Sequence, residues 1–287
     1  MVSSILLLLL LLGVPATVCA QSVAELRYTW FGATEIASRV RGDTVIASER
    51  TALSQVEARA GVPIVLPNRR GVLLPAASYY GLFPDSEPAL ATSSAFHEVG
   101  IRLLGQLRIS DRWSVVVELN PGIAGDFTRL SDDDLLLRGT LLPVFDVSDS
   151  TTLGLGLALS TLLGTEQFIP VLLANIDPPG AFYMRASLPA SLEVGAALGL
   201  IDTGARLRVQ GTVFNLSQTT LEDDVLRASF GSATGFAAMN LRGPLWLDLD
   251  VGITFLRRVS VEQRDTVVAG LDRTAGPVIS AGLRITP

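Results

Sequence analysis

From about residue 50 onward, apolar side chains recur at every second position, not at the 3.6-residue spacing of a helix. Val99, Ile101, Leu103, Gly105, Leu107 and Ile109 share one face of an extended segment. Gly100, Arg102, Leu104, Gln106 and Arg108 share the other. Ser110-Asp111 then offers a turn, after which Trp113, Val115, Val117 and Leu119 alternate with Ser114, Val116, Glu118 and Asn120. This spells a hairpin with one apolar face and one mixed face. The same alternation returns at 153–160, 192–199, 205–213, 245–255 and 279–285.

Fourteen strands are predicted, near 24–31, 51–66, 71–83, 95–109, 112–120, 134–147, 151–160, 167–176, 181–187, 191–199, 204–214, 225–240, 244–257 and 278–286. Most approach the ~9–11 residues that a tilted strand needs to cross a bilayer. Short connections at Pro67–Arg70, Ser110-Asp111, Ser148–Ser150, Asp177–Gly180, Leu200–Thr203 and Leu241–Gly243 alternate with others at 32–50, 84–94, 121–133, 161–166, 188–190, 215–224 and 258–277. All of the second set but 188–190 are the longer. Such alternation marks an outer-membrane barrel with short periplasmic turns and long outer loops. The expected fold is all-β: an antiparallel up-and-down transmembrane β-barrel of about 14 strands with both termini periplasmic. The count falls to 12 if strand 24–31 or the tight Leu188–Ala190 link fails. A secreted β-sandwich or enclosed soluble barrel also alternates. A polar face rich in Gly, Ala, Ser and Arg suits a wet lumen better.

Residues 1–20 stand apart. The apolar run Ile5–Leu12, ended by Gly13 and Pro15 and followed by Val18-Cys19-Ala20, has the form of a secretory signal peptide cut after Ala20. It is too short to span a bilayer. Lipidation at Cys19 is the alternative, with Val18 a poor residue before it. The expected organisation is a signal peptide at 1–20, an N-terminal segment with the first strand at 21–50, and a barrel at 51–287.

Cys19 is the only cysteine, so the mature chain would hold no disulfide, thiol nucleophile or thiolate metal site. All 22 basic residues are Arg, and the net charge of −6 argues against nucleic acid as a partner. The chain is 48% hydrophobic, yet charges interrupt every later apolar run before a helix could span lipid. A barrel accounts for this, because only alternate residues face lipid.

Ser280, Gly282 and Ile285 resemble the C-terminal signal read by the barrel-assembly machinery, from which Pro287 departs. Glu118–Phe127, with Pro121-Gly122 ahead of Asp126-Phe127, and Phe168–Gly180, with Pro170-Val171, resemble landmarks of an uncharacterised family of bacterial outer-membrane β-barrel proteins, as does Leu188-Pro189. The resemblance covers most of 50–287. It implies a fold and a location but no activity.

The candidate lumen lining is Arg102, Arg108, Glu118, Arg138, Arg185, Glu193, Arg206, Arg208, Asp248 and Asp250, joined on the same face by Arg284, Glu57 and Asp146. These could form a selective constriction or a network of opposite charges satisfied across neighbouring strands. Unpaired, Arg206 and Arg208 would form a fixed positive patch and a weak anion preference. Asp132–Asp134 and Glu222–Asp224 are acidic loop clusters that could meet Ca²⁺, without EF-hand spacing. The only histidine, His97, has no G-x-S-x-G partner. No catalytic, cofactor or metal site is expected. The expected partners are outer-membrane lipid, the assembly machinery and small solutes. The first functional expectation is a passive pore for small solutes. A closed-lumen structural or binding barrel comes second, and a barrel enzyme third. The connection 258–277 is long enough to fold inward as a plug.

Overall fold

The computed structural model describes residues 23–40, 44–67, 70–85, 95–162, 165–216, 224–263, 266–272 and 275–286. The expected signal peptide lies outside them. The strand segments are β1 (Ala24–Val40), β2 (Thr44–Gly61), β3 (Ile64–Val65), β4 (Gly71–Pro84), β5 (Phe96–Arg108), β6 (Trp113–Gly125), β7 (Leu135–Ser148), β8 (Thr151–Ser160), β9 (Gln167–Ile176), β10 (Phe182–Leu188), β11 (Ser191–Leu198), β12 (Ile201–Asn215), β13 (Asp224–Arg242), β14 (Leu245–Gln263), β15 (Thr266–Asp272) and β16 (Gly276–Ile285). Neighbours in sequence pair antiparallel, β14 pairs with β16, and β1 pairs with both β2 and β16. The sheet therefore closes on itself. β3 only edges β4, and β15 lies against the top of β14. Fourteen strands form the ring. All fourteen sequence-predicted strands are present, including 24–31 and the pair flanking Leu188–Ala190.

β1 and β16 meet at one end, where Ala24 pairs with Ile285. Tight turns such as 149–150 and 243–244 lie at that end. Longer connections lie at the other.

Two of the expected long loops are largely strand. The stretch 32–50 continues β1 and β2, with pairing as far as Val40↔Thr44. The stretch 258–277 continues β14 and folds back as β15, with Arg258↔Asp272 in register, so it is a hairpin and not an inward plug. Both stretches are rich in charge and lack a continuous apolar face. Their ladders rest on backbone pairing, which side-chain periodicity does not report.

The wall is uneven in height. β13 and β14 have 19 residues each, whereas β10 and β11 have 7 and 8. The outward face is apolar around most of the ring, with Leu141, Leu155, Leu157, Val251 and Ile253 all more than half exposed. Leu103, Leu207 and Leu249 face outward as expected, and Val117 lies half-buried on the same face. Trp113 and Phe145 pack with tilted rings 4.9 Å apart near the short-turn end. Tyr79, Phe83, His97 and Phe127 cluster near the other. An apolar band between aromatic groups is the lipid-facing pattern of a membrane barrel.

Candidate functional site: the barrel interior

The interior divides into three regions. The first is a belt of charge. Asp250 on β14 accepts from Arg27 of β1 at 2.5 Å and from Arg206 of β12 at 2.6 Å. Arg206 also donates to Glu193 of β11 at 2.7 Å, and Glu193 faces Arg185 of β10 at 3.7 Å. Asp248 accepts from Arg284 at 2.8 Å. Glu25 takes Arg59 and Arg27. On the far wall Arg102 forms a two-pronged pair with Glu118 at 2.8 and 2.9 Å, and Arg138 reaches Glu98. Inward positions on adjacent strands stand roughly 4.5–5.5 Å apart at Cβ, so Arg206 and Glu193, Arg284 and Asp248, and Arg102 and Glu118 meet directly. The long Arg27, Arg206 and Arg138 side chains reach Asp250 and Glu98 across one intervening strand. A buried carboxylate held by two guanidinium groups keeps its charge compensated.

The candidate lining residues all lie on this inward face. Arg102, Glu118, Arg138, Arg185, Glu193, Arg206, Asp248 and Asp250 are drawn into ion pairs. Arg108 stands at the short-turn mouth and donates to the carbonyls of Ser110 and Asp111. Arg208 makes no ion pair among the described residues, and Arg206 is held by two carboxylates. The expected patch of two free arginines is therefore reduced to one. The spacing of charges along each strand was visible in the sequence. Which strand closes onto which was not, and that decides that Asp250 serves both Arg27 and Arg206. Glu25, Arg27, Arg59 and Glu98 were missed, although Glu25, Arg27 and Thr29 alternate with Leu26, Tyr28 and Trp30.

The second region is an apolar seal at the long-loop end. Phe31, Leu53, Leu82, Phe96, Phe214 and Phe230 point inward and are at most 3% exposed. Phe31 and Phe230 stack at 4.8 Å, and Phe214 sits 5.5 Å from Phe96 and 6.1 Å from Tyr80. Fully burying a Phe or Leu contributes about 1.5–3 kcal/mol relative to exposure. The top of β12 leans across the barrel to complete this core. Asn215 bridges to Gly125, and the Asp126 amide donates to the Asn215 carbonyl at 3.3 Å. Thr212 donates to Glu98 at 3.0 Å, and Gln210 donates to Gln55 at 2.6 Å. The expectation of a wet inner face along every strand is corrected here. Gln210 is a cross-barrel tie and not a free lumen position. Gln106 is likewise buried and donates to Ser114 at 3.2 Å.

The third region is open space along β5–β10. A cavity of about 430 Å³ has an apolar wall of Leu104, Val116, Leu142, Ile169, Val171 and Leu173, and Arg102, Glu118, Asn120 and Arg138 also border it. A second cavity of about 720 Å³ reaches the short-turn mouth beside Arg108, Asp111, Asp149 and Asp177. Gln106, Leu173 and Asn175 line both, so the two lie side by side. Pockets of 300–1,000 Å³ with an apolar lining and a few polar groups are the usual size for small-molecule sites.

The remaining candidates stand apart from the interior. His97 faces outward, shares a hydrogen bond with Tyr79 Oη at 2.9 Å and stacks parallel to Phe127 at 5.7 Å. Asp132–Asp134 form a single 3-10 turn in which Asp134 accepts from the Ser131 amide at 2.7 Å. Among the described residues, no three His, Cys, Asp or Glu side chains converge as metal ligands. Glu222 and Asp223 lie outside those residues. The landmark Gly125-Asp126-Phe127 sits where β6 receives β12. Phe127 holds φ = 54°, a rare conformation for a bulky residue. The Asp126 carboxylate accepts from the amide and hydroxyl of Thr128 at 3.1 and 2.9 Å, which ties down this bend.

A family model described as "Domain of unknown function (DUF6268)" matches residues 17–269. The chain belongs to that family. The uncharacterised-family resemblance seen in the Pro-Gly and Asp-Phe landmarks agrees with this membership. No curated protein matches the DUF6268 chain. Among solved structures it is similar to the TodX monoaromatic hydrocarbon channel (a deltaS2 mutant) at 11% identity and TM-score 0.47, over 94% of this chain and 91% of that one. It is also similar to the Ralstonia pickettii toluene transporter TbuX at 12% and 0.37, over 94% and 92%. A Rhodopseudomonas blastica porin matches at 8% and 0.30, over 91% and 98%. At such values the chemistry of this chain rests on its own residues.

Proposed function

We propose that the chain is an outer-membrane barrel that conducts small solutes along the β5–β10 side of its interior, with the tight turns and both termini in the periplasm. The carrying observation is the succession of two cavities from the short-turn mouth to the apolar wall, which share Gln106, Leu173 and Asn175 as lining. The outward apolar band supports insertion in lipid. Ser280 and Gly282 face inward and Ile285 outward on the last strand, which suits recognition by an assembly machinery. The ion-pair belt compensates most interior charge, so the conduit favours neutral solutes over ions. A closed binding barrel is the second reading, and the apolar seal is the observation that favours it.

The test is reconstitution. The conduit reading expects proteoliposomes to swell in arabinose faster than empty vesicles, while planar bilayers show only small conductance. A folded, heat-modifiable barrel that passes no solute would promote the closed reading. Recovery of the protein as a soluble periplasmic species would remove both.

A further inference from the structure

β10 and β11 end well below their neighbours. Seven residues at about 3.4 Å each and a tilt near 40° rise roughly 18 Å, short of the ~25 Å apolar band of such barrels. β9 and β10 pair only as far as Leu172↔Leu188, so residues 167–171 of β9 have no partner on that side. β11 and β12 pair as far as Ser191↔Arg208, with one further bond from the Val209 amide to the Ala190 carbonyl at 2.8 Å. Above that point β12 is paired along its β13 side, with the single bridge Asn215↔Gly125 to β6 at its top. Among the described residues, no pairing joins the two flanks above the hairpin tip Leu188-Pro189-Ala190. Higher up, the connection that follows β8 reaches β12, where Thr161 donates to the Gly211 carbonyl at 3.1 Å. The result is a window in the wall.

Three observations give this window a use. First, it leads into the 430 Å³ cavity, whose lining includes Leu162, Ile169, Val171, Leu188, Pro189 and Ala190. Second, the lipid-type surface continues above the hairpin tip. On β9, Phe168 is 75% exposed, with exposed Pro170 beside it. On β12, Val213 lies on the outward face. The window therefore opens at membrane depth. Third, unpaired strand edges are not tolerated against hydrocarbon unless they border a cavity that can hydrate them. Among the described residues the apolar seal narrows the axial path at the long-loop end, and this window and the short-turn mouth are the other routes to the cavity.

Building on the conduit reading, we infer that the β9–β12 window is a lateral port through which small, largely apolar molecules with at most one polar end pass between the membrane and the inner cavity. The cavity has a matching division. Leu104, Val116, Leu142 and Val171 receive the apolar body. Asn120 and the Arg102–Glu118 pair meet the polar end. Leu162, 8% exposed and part of the cavity lining, stands at the upper edge of the port.

The experiment uses the full chain with Cys19→Ala and one introduced cysteine carrying a bimane label, in vesicles of phosphatidylcholine brominated on its acyl chains. Ile169→Cys reports from the port. Ser114→Cys reports from behind an unbroken wall, since β6 pairs with β5 and β7 on either side of it. Retained heat-modifiable gel mobility verifies folding, and Val171→Cys replaces Ile169→Cys if that variant fails. The expected result is at least threefold greater quenching at 169 than at 114. Leu162→Ala should increase it, and 1-hexanol should shift bimane emission at 169 but not at 114. Equal quenching at both sites, or an equal response to hexanol, would overturn the lateral port. Loss of arabinose swelling with the quenching asymmetry intact would refute the conduit while leaving the port standing.

Discussion

Asp250 offers the sharpest test of whether the interior belt holds the barrel together. It is 3% exposed and accepts from Arg27 at 2.5 Å and from Arg206 at 2.6 Å. Asp250→Asn keeps the volume and removes the charge. Breaking a buried pair from one side costs about 3–5 kcal/mol, most of it from the uncompensated partner. Here each partner keeps a second carboxylate, Glu25 for Arg27 at 3.3 Å and Glu193 for Arg206 at 2.7 Å. The loss should therefore fall near the lower end, about 3 kcal/mol, and not double for two pairs.

The assay is reversible guanidinium unfolding in phospholipid vesicles, followed by tryptophan emission. A double variant, Arg27→Leu with Asp250→Leu, completes the argument. Replacing both members of a buried pair by apolar groups is often neutral or stabilising, so the double variant should recover at least half of the loss. A cost below about 1 kcal/mol for Asp250→Asn would refute the reasoning and place the belt in well-solvated surroundings. Full cost in both variants would show that Asp250 acts through packing and not through charge.

Three further expectations follow from the same geometry. Leu103→Arg, Leu207→Arg or Leu249→Arg should each cost about 2–4 kcal/mol, while Asn175→Arg, on the cavity wall, should cost under about 1 kcal/mol, both by vesicle unfolding; equal costs would show the register to be misassigned. Phe214→Ala should cost about 3–5 kcal/mol and raise single-channel conductance by loosening the long-loop end; unchanged conductance would mean that other residues hold the seal. Gly211→Val should detach the 161–162 segment, because a Cβ on Gly211 would lie 2.4 Å from the Leu162 carbonyl oxygen and 2.6 Å from that of Thr161; a variant with unchanged melting and arabinose swelling would deny that contact.

Much of the barrel was legible because lipid imposes a rule that side chains obey. Every strand crossing the apolar band must show its partner face to hydrocarbon, and the two-residue repeat at 99–109 or 245–255 follows directly. Legibility failed where that rule lapses. At 32–50 and 258–263 the strands rise past the belt, alternation is no longer required, and loop-like composition conceals a ladder. The interior was harder. Arg206 and Asp250 are separated by 44 residues and lie on different strands, so their pairing depends on barrel stagger that no local window contains. Phe31, Leu82, Phe96 and Phe214 stood near the ends of the predicted strands, where an inward apolar residue reads the same as an outward one. Only a closed ring brings them to one level.

The seal and the window have a common origin in strand length. β11 has 8 residues and β12 has 15, so the upper part of β12 loses its neighbour on one side. A strand held on both edges must follow the wall. One held on a single edge can lean inward, and β12 does so, placing Phe214 between Tyr80 and Phe96 and Asn215 against Gly125. The lean that closes the long-loop end also draws the wall away from β9 above the hairpin tip. Lengthening β10 and β11 by two residues each, with alternating Val and Thr, would restore pairing to β12 and narrow the window. The seal would then weaken as Phe214 moves outward with its strand. Axial conductance should rise while acyl-chain quenching at residue 169 falls. If the two quantities moved in the same direction, the closure and the opening would have separate causes.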